Sequence, residues 1–378
     1  MTITPRAALT RSYELRYGEA FMPLCPELVK PTPDTLFSAP ENGERANVET
    51  RLSRLVGYLT PIDRFYVRNH GATPRIERDS WRLELEGDGL KQPATLDYDA
   101  LCALPRVSLV RAVECAGNAR SFFKSRFGHQ AGGAQWRTGA IGVAEWSGVR
   151  LRDVLALAGV RDAAVDILPE GLDDVRYARP LPIDKALADD TLIALAMNGE
   201  PLPSDHGFPA RLIVSGWLGA ASVKWLGRIE VACRALHTHW NKTEYTLAGP
   251  SWPERPPADG VPVSVMPVMS VAELDWPAHL AAGRRVIRGR AFSGEARVAR
   301  VQYAVDHGPW REAELGTPNI AAAWVCWSFI WNATPGNHTL RVRAVDEHGQ
   351  VQPDEVEWND HGVLFNAVVA HPLRVAGY

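Results

Sequence analysis

The chain has 378 residues, of which 46% are hydrophobic, and this is enough to build two domains rather than one. Its formal net charge of -3 indicates neither a nucleic acid nor an anionic membrane surface as a partner. No apolar stretch is long enough to span a bilayer, so we expect a globular protein without a membrane-spanning segment.

The N-terminal sequence has no apolar signal region and no twin-arginine pair. We therefore expect the chain as given to be cytoplasmic, or periplasmic if an export leader has been removed. The cysteines are odd in number, scattered and without a Cys-x-x-Cys pair, which argues against a disulfide framework and a zinc knuckle. They are Cys25, Cys102, Cys115, Cys233 and Cys326. A Cys-x-x-Cys-His haem motif is also lacking, so electrons from any redox reaction would pass to another protein.

Residues 1–55 carry several prolines and predict an irregular lead-in that covers the domain after it. Residues 56–255 alternate short apolar strand candidates, such as 81–86 and 210–214, with helical stretches. This pattern predicts a mixed α+β domain. A helix is predicted at 151–158, where apolar residues recur at helical spacing before a capping glycine at position 159.

Prolines are again frequent in 248–267, which predicts an extended connection and a domain boundary near residue 255. In 256–378, apolar and polar residues alternate with period two between Gly-containing turns, which predicts a small antiparallel β-sandwich. The predicted inward-facing residues are Val301, Tyr303, Val305, Leu340, Val342 and Ala344. Four tryptophans are predicted to fill the sandwich core or a subunit contact: Trp310, Trp324, Trp327 and Trp331.

The segment 111–120 (RAVECAGNAR) places Cys115 between apolar residues and a Gly-Asn turn. A cysteine binds a metal as the thiolate, and the positive charges of Arg111 and Arg120 would favour that form. Soft sulfur suits a soft or high-valent metal. The alternative is that Cys115 is a small buried hydrophobic residue without chemistry.

Several short segments, in their order along the chain, resemble the sulfite oxidase family of molybdenum enzymes, in its bacterial type without a haem domain. These segments are 65–70 (FYVRNH), 115–120 (CAGNAR), 135–141 (QWRTGAI), 197–202 (MNGEPL), 205–211 (DHGFPAR) and 222–226 (SVKWL). The resemblance implies an α+β molybdopterin-binding domain followed by an immunoglobulin-like dimerisation domain, hence a homodimer. It also implies a molybdenum-molybdopterin cofactor with Cys115 as the protein ligand of the metal.

By the same resemblance, Arg68 and Arg120 meet an anionic substrate, and a guanidinium suits two oxygens of one oxyanion. Trp136 is the expected pocket wall, with a core tryptophan as the alternative. Tyr245 is expected to hydrogen-bond near the metal and to assist proton transfer, or else to anchor the interdomain connection. The residues implied in cofactor binding are Asn69, His70, His206, Arg211, Ser222 and Lys224.

One segment departs from the family pattern. In 358–363 (WNDHGV), His361 stands where the family commonly has an arginine that reaches the substrate pocket. Histidine changes charge near neutral pH, so the pocket would carry less fixed positive charge. This departure weakens the inference to sulfite as the substrate.

The sequence therefore predicts a molybdenum-dependent oxidoreductase that oxidises sulfite to sulfate by oxo transfer and passes electrons to an external acceptor such as a cytochrome. One alternative is a reductive enzyme on the same scaffold, acting on nitrate or a sulfoxide. The other is a non-catalytic dimeric binding protein that keeps the fold and not the metal.

Overall fold

The structure is a computed structural model, and it describes residues 28–42 and 46–377. Residues 1–27 and 43–45 of the predicted lead-in lie outside the described residues, and Cys25 is among them. The four other cysteines have free thiols. In the described ranges, none of the helices is both long and apolar enough to cross a membrane.

The first half of the chain is built on two sheets of five strands each, one antiparallel and one mixed. Its strands are β1 (Phe37–Ser38), β2 (Glu49–Thr50), β3 (Arg82–Glu86), β4 (Ala94–Asp97), β5 (Arg106–Glu114), β6 (Ile141–Arg150), β7 (Asp166–Gly171), β8 (Leu181–Pro182), β9 (Thr191–Met197), β10 (Glu200–Pro201), β11 (Arg211–Val214) and β12 (Leu226–Ala232). One sheet has the order β10-β9-β6-β5 with β11 beside β9, and the other has the order β4-β3-β12-β7-β8. The lead-in strands β1 and β2 pair separately.

Short helices connect these strands. They are α1 (Tyr98–Cys102), α2 (Phe122–Phe127), α3 (Leu151–Ala158) and α4 (Ile183–Ala186), with 3-10 turns at Leu52–Arg54, Ile62–Arg64, Ser204–His206 and Gly219–Ala221 and a π-helical turn at Trp240–Glu244. Helix α3 confirms the predicted helix, since its apolar face is buried and Gly159 follows it with φ of 70°. The mixture of sheets and helices confirms the α+β class.

The last third is a β-sandwich, as predicted. Its strands are β15 (Met269–Ala272), β16 (Ala278–Ala281), β17 (Gly283–Phe292), β18 (Val298–Val305), β19 (Arg311–Glu312), β20 (Glu314–Leu315), β21 (Trp324–Ala333), β22 (Gly336–Asp346) and β23 (His371–Ala376), preceded by the short pair β13 (Thr246–Leu247) and β14 (Val261–Pro262). The sheets have the orders β15-β17-β21-β20 and β16-β23-β22-β18-β19. One pair, β16 with β23, is parallel, which the prediction of a purely antiparallel sandwich missed.

The predicted alternation holds on β22 and only partly on β18. Leu340, Val342 and Ala344 are buried, but Ala304, which the alternation turned towards solvent, is buried as well. Its register partner on β22 is Arg341, and the ring of Trp310 lies over that guanidinium. Trp310 and Arg341 thus cover the outer face of the sheet beside Ala304, which explains why Ala304 is buried. Trp324 and Trp327 are core residues, whereas Trp310 and Trp331 are half-buried.

The two parts of the molecule share one hydrophobic cluster, which includes Ala112 and Ile141 from the first sheet and Met269, Phe292 and Trp324 from the sandwich. Burying apolar surface between the parts favours a fixed arrangement over two loosely tethered domains. The boundaries predicted at residues 55 and 255 remain predictions.

Candidate active site

Two adjoining cavities meet at Cys115. The first, of about 80 Å³, is named here the Lys224 cavity, and it is lined by all the predicted cofactor-binding residues. The second, of about 380 Å³, is named the Arg120 cavity, and it is lined by Arg120 and His361 among others. Arg68, His70, Cys115 and Tyr245 line both cavities. A ligand that fills the first cavity would therefore present one end to the second.

Cys115 follows the end of strand β5 and is 8% exposed. Its N–H donates to the carbonyl of Ala140 at 2.9 Å, and its own carbonyl accepts from the N–H of Asn118 at 2.9 Å. These bonds fix the turn that aims the thiol at the cavities. Burial raises the pKa of the thiol, while the nearby charges of Arg68 and Arg120 oppose that rise.

The prediction that the positive charge of Arg111 favours the thiolate form of Cys115 was wrong. Its Nε donates to Ser215 Oγ at 2.9 Å, and its Nη1 donates to the carbonyl of Val110. Arg111 is four residues before Cys115 on extended strand β5, which at about 3.3 Å per residue separates the two by roughly 13 Å. Arg68 supplies the second positive charge instead, from 47 positions earlier in the chain.

Neutral backbone carbonyls hold the guanidinium of Arg120. Its Nε donates to Gly362 at 3.0 Å and its Nη1 to Ala134 at 3.0 Å. A Cβ atom at Gly117 would lie 2.6 Å from the guanidinium carbon, so the close approach requires glycine there. Because carbonyls carry no net charge, Arg120 keeps its positive charge for an anion in the cavity.

His70 connects Arg68 to Tyr245. Arg68 Nη2 lies 3.0 Å from His70 Nδ1, and His70 Nε2 lies 3.1 Å from the hydroxyl of Tyr245. Burial, followed by the charge of Arg68, lowers the pKa of His70 to about 2, so the ring is neutral. A guanidinium can only donate, so Nδ1 accepts and Nε2–H donates to the tyrosine oxygen. The phenolic proton of Tyr245 therefore points away from His70.

The lining of the Lys224 cavity includes two basic side chains, buried Arg211 and half-buried Lys224. Lys224 Nζ donates to Asn69 Oδ1 and to the carbonyl of Asp205. Arg211 donates to the carbonyls of His206 and Ser222, each at 3.2 Å. Ser222 Oγ accepts from the backbone N–H of strand β11 at 3.2 Å. The predicted cofactor-binding residues, separated along the sequence, thus form one wall.

Trp136 does not line either cavity, so the prediction of a pocket wall was wrong. Its side chain is fully buried and belongs to a hydrophobic cluster with Phe65, Trp146 and Cys115. The motif 135–141 (QWRTGAI) has no periodicity that distinguishes a tryptophan facing a pocket from one facing the core. The core alternative applies here.

Sequence reasoning missed several residues of the site. Tyr177 stacks on His70 with ring centroids 5.2 Å apart, and Glu244 lines the Arg120 cavity beside Trp240. Buried Lys30 lies 3.2 Å from His206. Glu244 directly precedes Tyr245, so sequence reasoning could have identified it. By contrast, no local signal in the sequence marks Tyr177 or Lys30.

Comparisons with known proteins agree with this geometry. The chain matches the family model "Oxidoreductase molybdopterin binding domain" over residues 70–240 and "Mo-co oxidoreductase dimerisation domain" over 263–374. It is 35% identical to sulfite oxidase of Gallus gallus over 331 residues, covering 82% of this chain and 72% of that protein. This chain belongs to the sulfite oxidase family.

Three other known proteins are similar to this chain. Mitochondrial sulfite oxidase of Mus musculus is 38% identical over 82% of this chain, and the chain spans 60% of that protein. The sulfane dehydrogenase SoxCD of Paracoccus pantotrophus has a TM-score of 0.77 at 28% identity, covering 87% of this chain and 86% of that one. The nitrate reductase of Hordeum vulgare is 33% identical, covering 85% of this chain and 40% of that protein.

Membership of the sulfite oxidase family implies the molybdenum-molybdopterin cofactor, and the Lys224 cavity fits such an anionic ligand. Arg211 Nε is buried and has no hydrogen-bond partner within the described residues. Burial, followed by the charge of Arg211, holds the pKa of Lys224 well below its usual value. An anionic phosphate would offset this repulsion and offer acceptors to both cations.

Proposed function

We propose that this protein is a molybdenum-dependent oxidoreductase that oxidises sulfite to sulfate and passes the electrons to an external acceptor. In the overall reaction one water oxygen is added to sulfite, and two electrons and two protons are released. The observation that carries the proposal is the pair Arg68 and Arg120, which line the same cavity as Cys115. A dianionic substrate would lie between two guanidinium groups and next to the thiol.

Different residues would bind the metal, the pterin and the substrate. Cys115 would ligate molybdenum, and the wall formed by Asn69, His70, His206, Arg211, Ser222 and Lys224 would hold the pterin and its phosphate. When bound, this cofactor supplies the oxygen-atom and electron transfer. The chain's own residues bind the anion, orient it and exclude competing ligands.

Tyr245 would assist proton transfer beside the substrate. Its oxygen accepts a hydrogen bond from His70 Nε2, which leaves the phenolic proton for a partner in the cavity. Burial raises the pKa of Tyr245, so the hydroxyl keeps its proton at neutral pH and acts as a donor. His361 and Glu244 line the same cavity and would adjust its charge.

We also propose that the protein is a homodimer through its sandwich domain and that a small electron carrier such as a cytochrome accepts the electrons. The match to a dimerisation domain over 263–374 supports the first statement. The second statement accounts for the two electrons released by the reaction, because they must leave the protein before the next turnover.

The test is sulfite-dependent reduction of ferricyanide by protein whose molybdenum content has been measured. We expect saturable turnover, and Cys115→Ser should lower it at least 100-fold. Cys233→Ser is the matched control, because Cys233 Sγ donates to the carbonyl of Asp88 far from the cavities and should not matter. A fully active Cys115→Ser protein would refute the assignment of the ligand.

A reductive enzyme is the second candidate, favoured by His361 in the cavity and by the relation to nitrate reductases. It predicts that nitrate or a sulfoxide oxidises a chemically reduced dye in the presence of the protein, while sulfite is inactive. A metal-loaded sample that is silent with sulfite and active in this assay would replace the first proposal.

A further inference from the structure

Lys30 is a buried basic residue contributed by the lead-in, from a stretch that the sequence marked only as irregular, and burial lowers its pKa to about 7. Its side chain is enclosed, and the residue is 8% exposed. The ammonium donates to the carbonyls of Ile62, at 3.3 Å, and Phe65, and it lies 3.2 Å from His206 Nε2. An ammonium has three protons and no lone pair, so these three acceptors use all of its protons.

The backbone beside Lys30 binds the same turn of the protein. The N–H of Lys30 donates to Asp205 Oδ2 at 2.7 Å, and the N–H of Val29 donates to Asp205 Oδ1 at 3.0 Å. Thr73 Oγ1 adds a bond to Asp205 Oδ1 at 2.6 Å. The segment around Lys30 is therefore attached to the turn Asp205–His206 by both main chain and side chain.

That turn forms part of the wall of the Lys224 cavity. His206 and Asp205 both line it, and the carbonyl of Asp205 accepts from Lys224 Nζ at 2.9 Å. Lys30 itself does not line the cavity and stands behind His206. In its charged form the amino group makes Nε2 of the imidazole an acceptor, which fixes the tautomer and the orientation of the ring.

We propose that Lys30 is a positioning residue of the cofactor site: with the backbone of Val29 and Lys30 it holds Asp205 and His206 in the geometry that binds the molybdopterin. The inference rests on the proposed use of the Lys224 cavity as the cofactor site, and it does not depend on the substrate. The cofactor is retained only when this part of the lead-in is docked on the turn Asp205–His206.

The experiment measures molybdenum and pterin per folded chain after expression in a host that makes the cofactor. Lys30→Met keeps an unbranched side chain that ends one atom short of the amino nitrogen, and it removes the charge and all three donors. We expect at least a 10-fold loss of cofactor per folded chain, with partial rescue by Lys30→Arg. The exposed Lys91→Met is the charge control and should retain full cofactor.

Two further variants separate positioning from general destabilisation. Leu83→Ala removes core volume on strand β3, away from both cavities, and should lower the unfolding midpoint while the folded fraction keeps its cofactor. Val29→Pro removes the N–H that bonds Asp205 and should lower cofactor content, whereas Val29→Ala keeps the N–H and should not.

Full cofactor content in Lys30→Met would overturn the inference, and so would cofactor loss that Leu83→Ala reproduces at equal stability. Failure of the proposed function looks different. In that case the wild-type protein is loaded with molybdenum and inactive with sulfite, while Lys30→Met still lacks the cofactor.

Discussion

At the scale of one residue, Arg120 shows how backbone carbonyls orient a guanidinium. Two carbonyl oxygens hold the guanidinium at its Nε and Nη1 atoms, and three glycines, Gly117, Gly133 and Gly362, leave it the space. Because folding already orients this flexible side chain, an anion that binds beside it would not lose free energy in ordering it.

Arg120→Lys should weaken substrate binding more than it slows turnover. Lysine keeps the charge and loses the planar fork and the Nε contact with Gly362. One charge-assisted hydrogen bond contributes about 1.5–3 kcal/mol, so we expect KM for sulfite to rise roughly 10- to 100-fold, with a smaller fall in kcat. Steady-state kinetics on samples of equal molybdenum content measures both. Arg78→Lys, at an exposed ion pair with Asp99, is the control, and an equal KM in both variants would contradict the role of Arg120.

At the scale of elements, a loop of the second domain completes the Arg120 cavity. The segment 358–363 lies between strands β22 and β23 and returns to the first domain, where the N–H of Gly132 donates to the carbonyl of Asp360 at 3.1 Å. Asn359 closes this loop. Its Nδ2 donates to the carbonyl of Val363 at 3.0 Å and its Oδ1 accepts from the N–H of Val363 at 2.9 Å.

Asn359→Ala should therefore act on the site through the loop. Without the side-chain amide, the carbonyl of Gly362 is less well fixed and Arg120 loses orientation, so we expect KM for sulfite to rise roughly 5- to 20-fold for a loss of about 1–2 kcal/mol. Asn366→Ala removes a comparable bond, to the carbonyl of Val268 at 3.2 Å, and should leave KM unchanged. Equal KM values in the two variants would show that the loop does not position Arg120.

At the scale of the whole molecule, Arg290 joins the two domains. From strand β17 it pairs with Glu273 at 2.5 Å and donates to the carbonyls of Gly57 and Tyr58. Its guanidinium also lies over the ring of Trp324, 4.1 Å from the centroid. The side chain is 3% exposed, so this network of charge and hydrogen bonds is almost fully removed from water.

Arg290→Met should destabilise the fold strongly. Removing the cation leaves the largely enclosed Glu273 without its partner and the carbonyl of Gly57 without this donor, whereas the carbonyl of Tyr58 keeps Trp324 Nε1 as a donor. Breaking a buried ion pair costs about 3–5 kcal/mol. Scanning calorimetry should show a lower Tm and a broadened or split transition as the domains lose their coupling. Arg284→Met, at an exposed position of the same strand, should shift Tm little, and similar shifts in both variants would argue against an interdomain role.

What the sequence by itself determined is local or carried by short motifs. Helix α3 followed from the spacing of its apolar residues, and the sandwich followed from period-two alternation. Six residues were predicted to bind the cofactor because each stands in a short segment shared with the sulfite oxidase family, and all six line the Lys224 cavity. Cys115 was predicted as the metal ligand in the same way.

The tertiary structure alone decided the contacts between distant segments. It brought Lys30 to His206 across 176 positions, placed Arg68 rather than Arg111 beside Cys115, and put Trp136 in the core. Periodicity and motifs record the conformation of neighbouring residues. Which side chains meet across the molecule depends instead on how sheets and loops pack, and a residue such as Lys30 takes its role entirely from the turn against which it is packed.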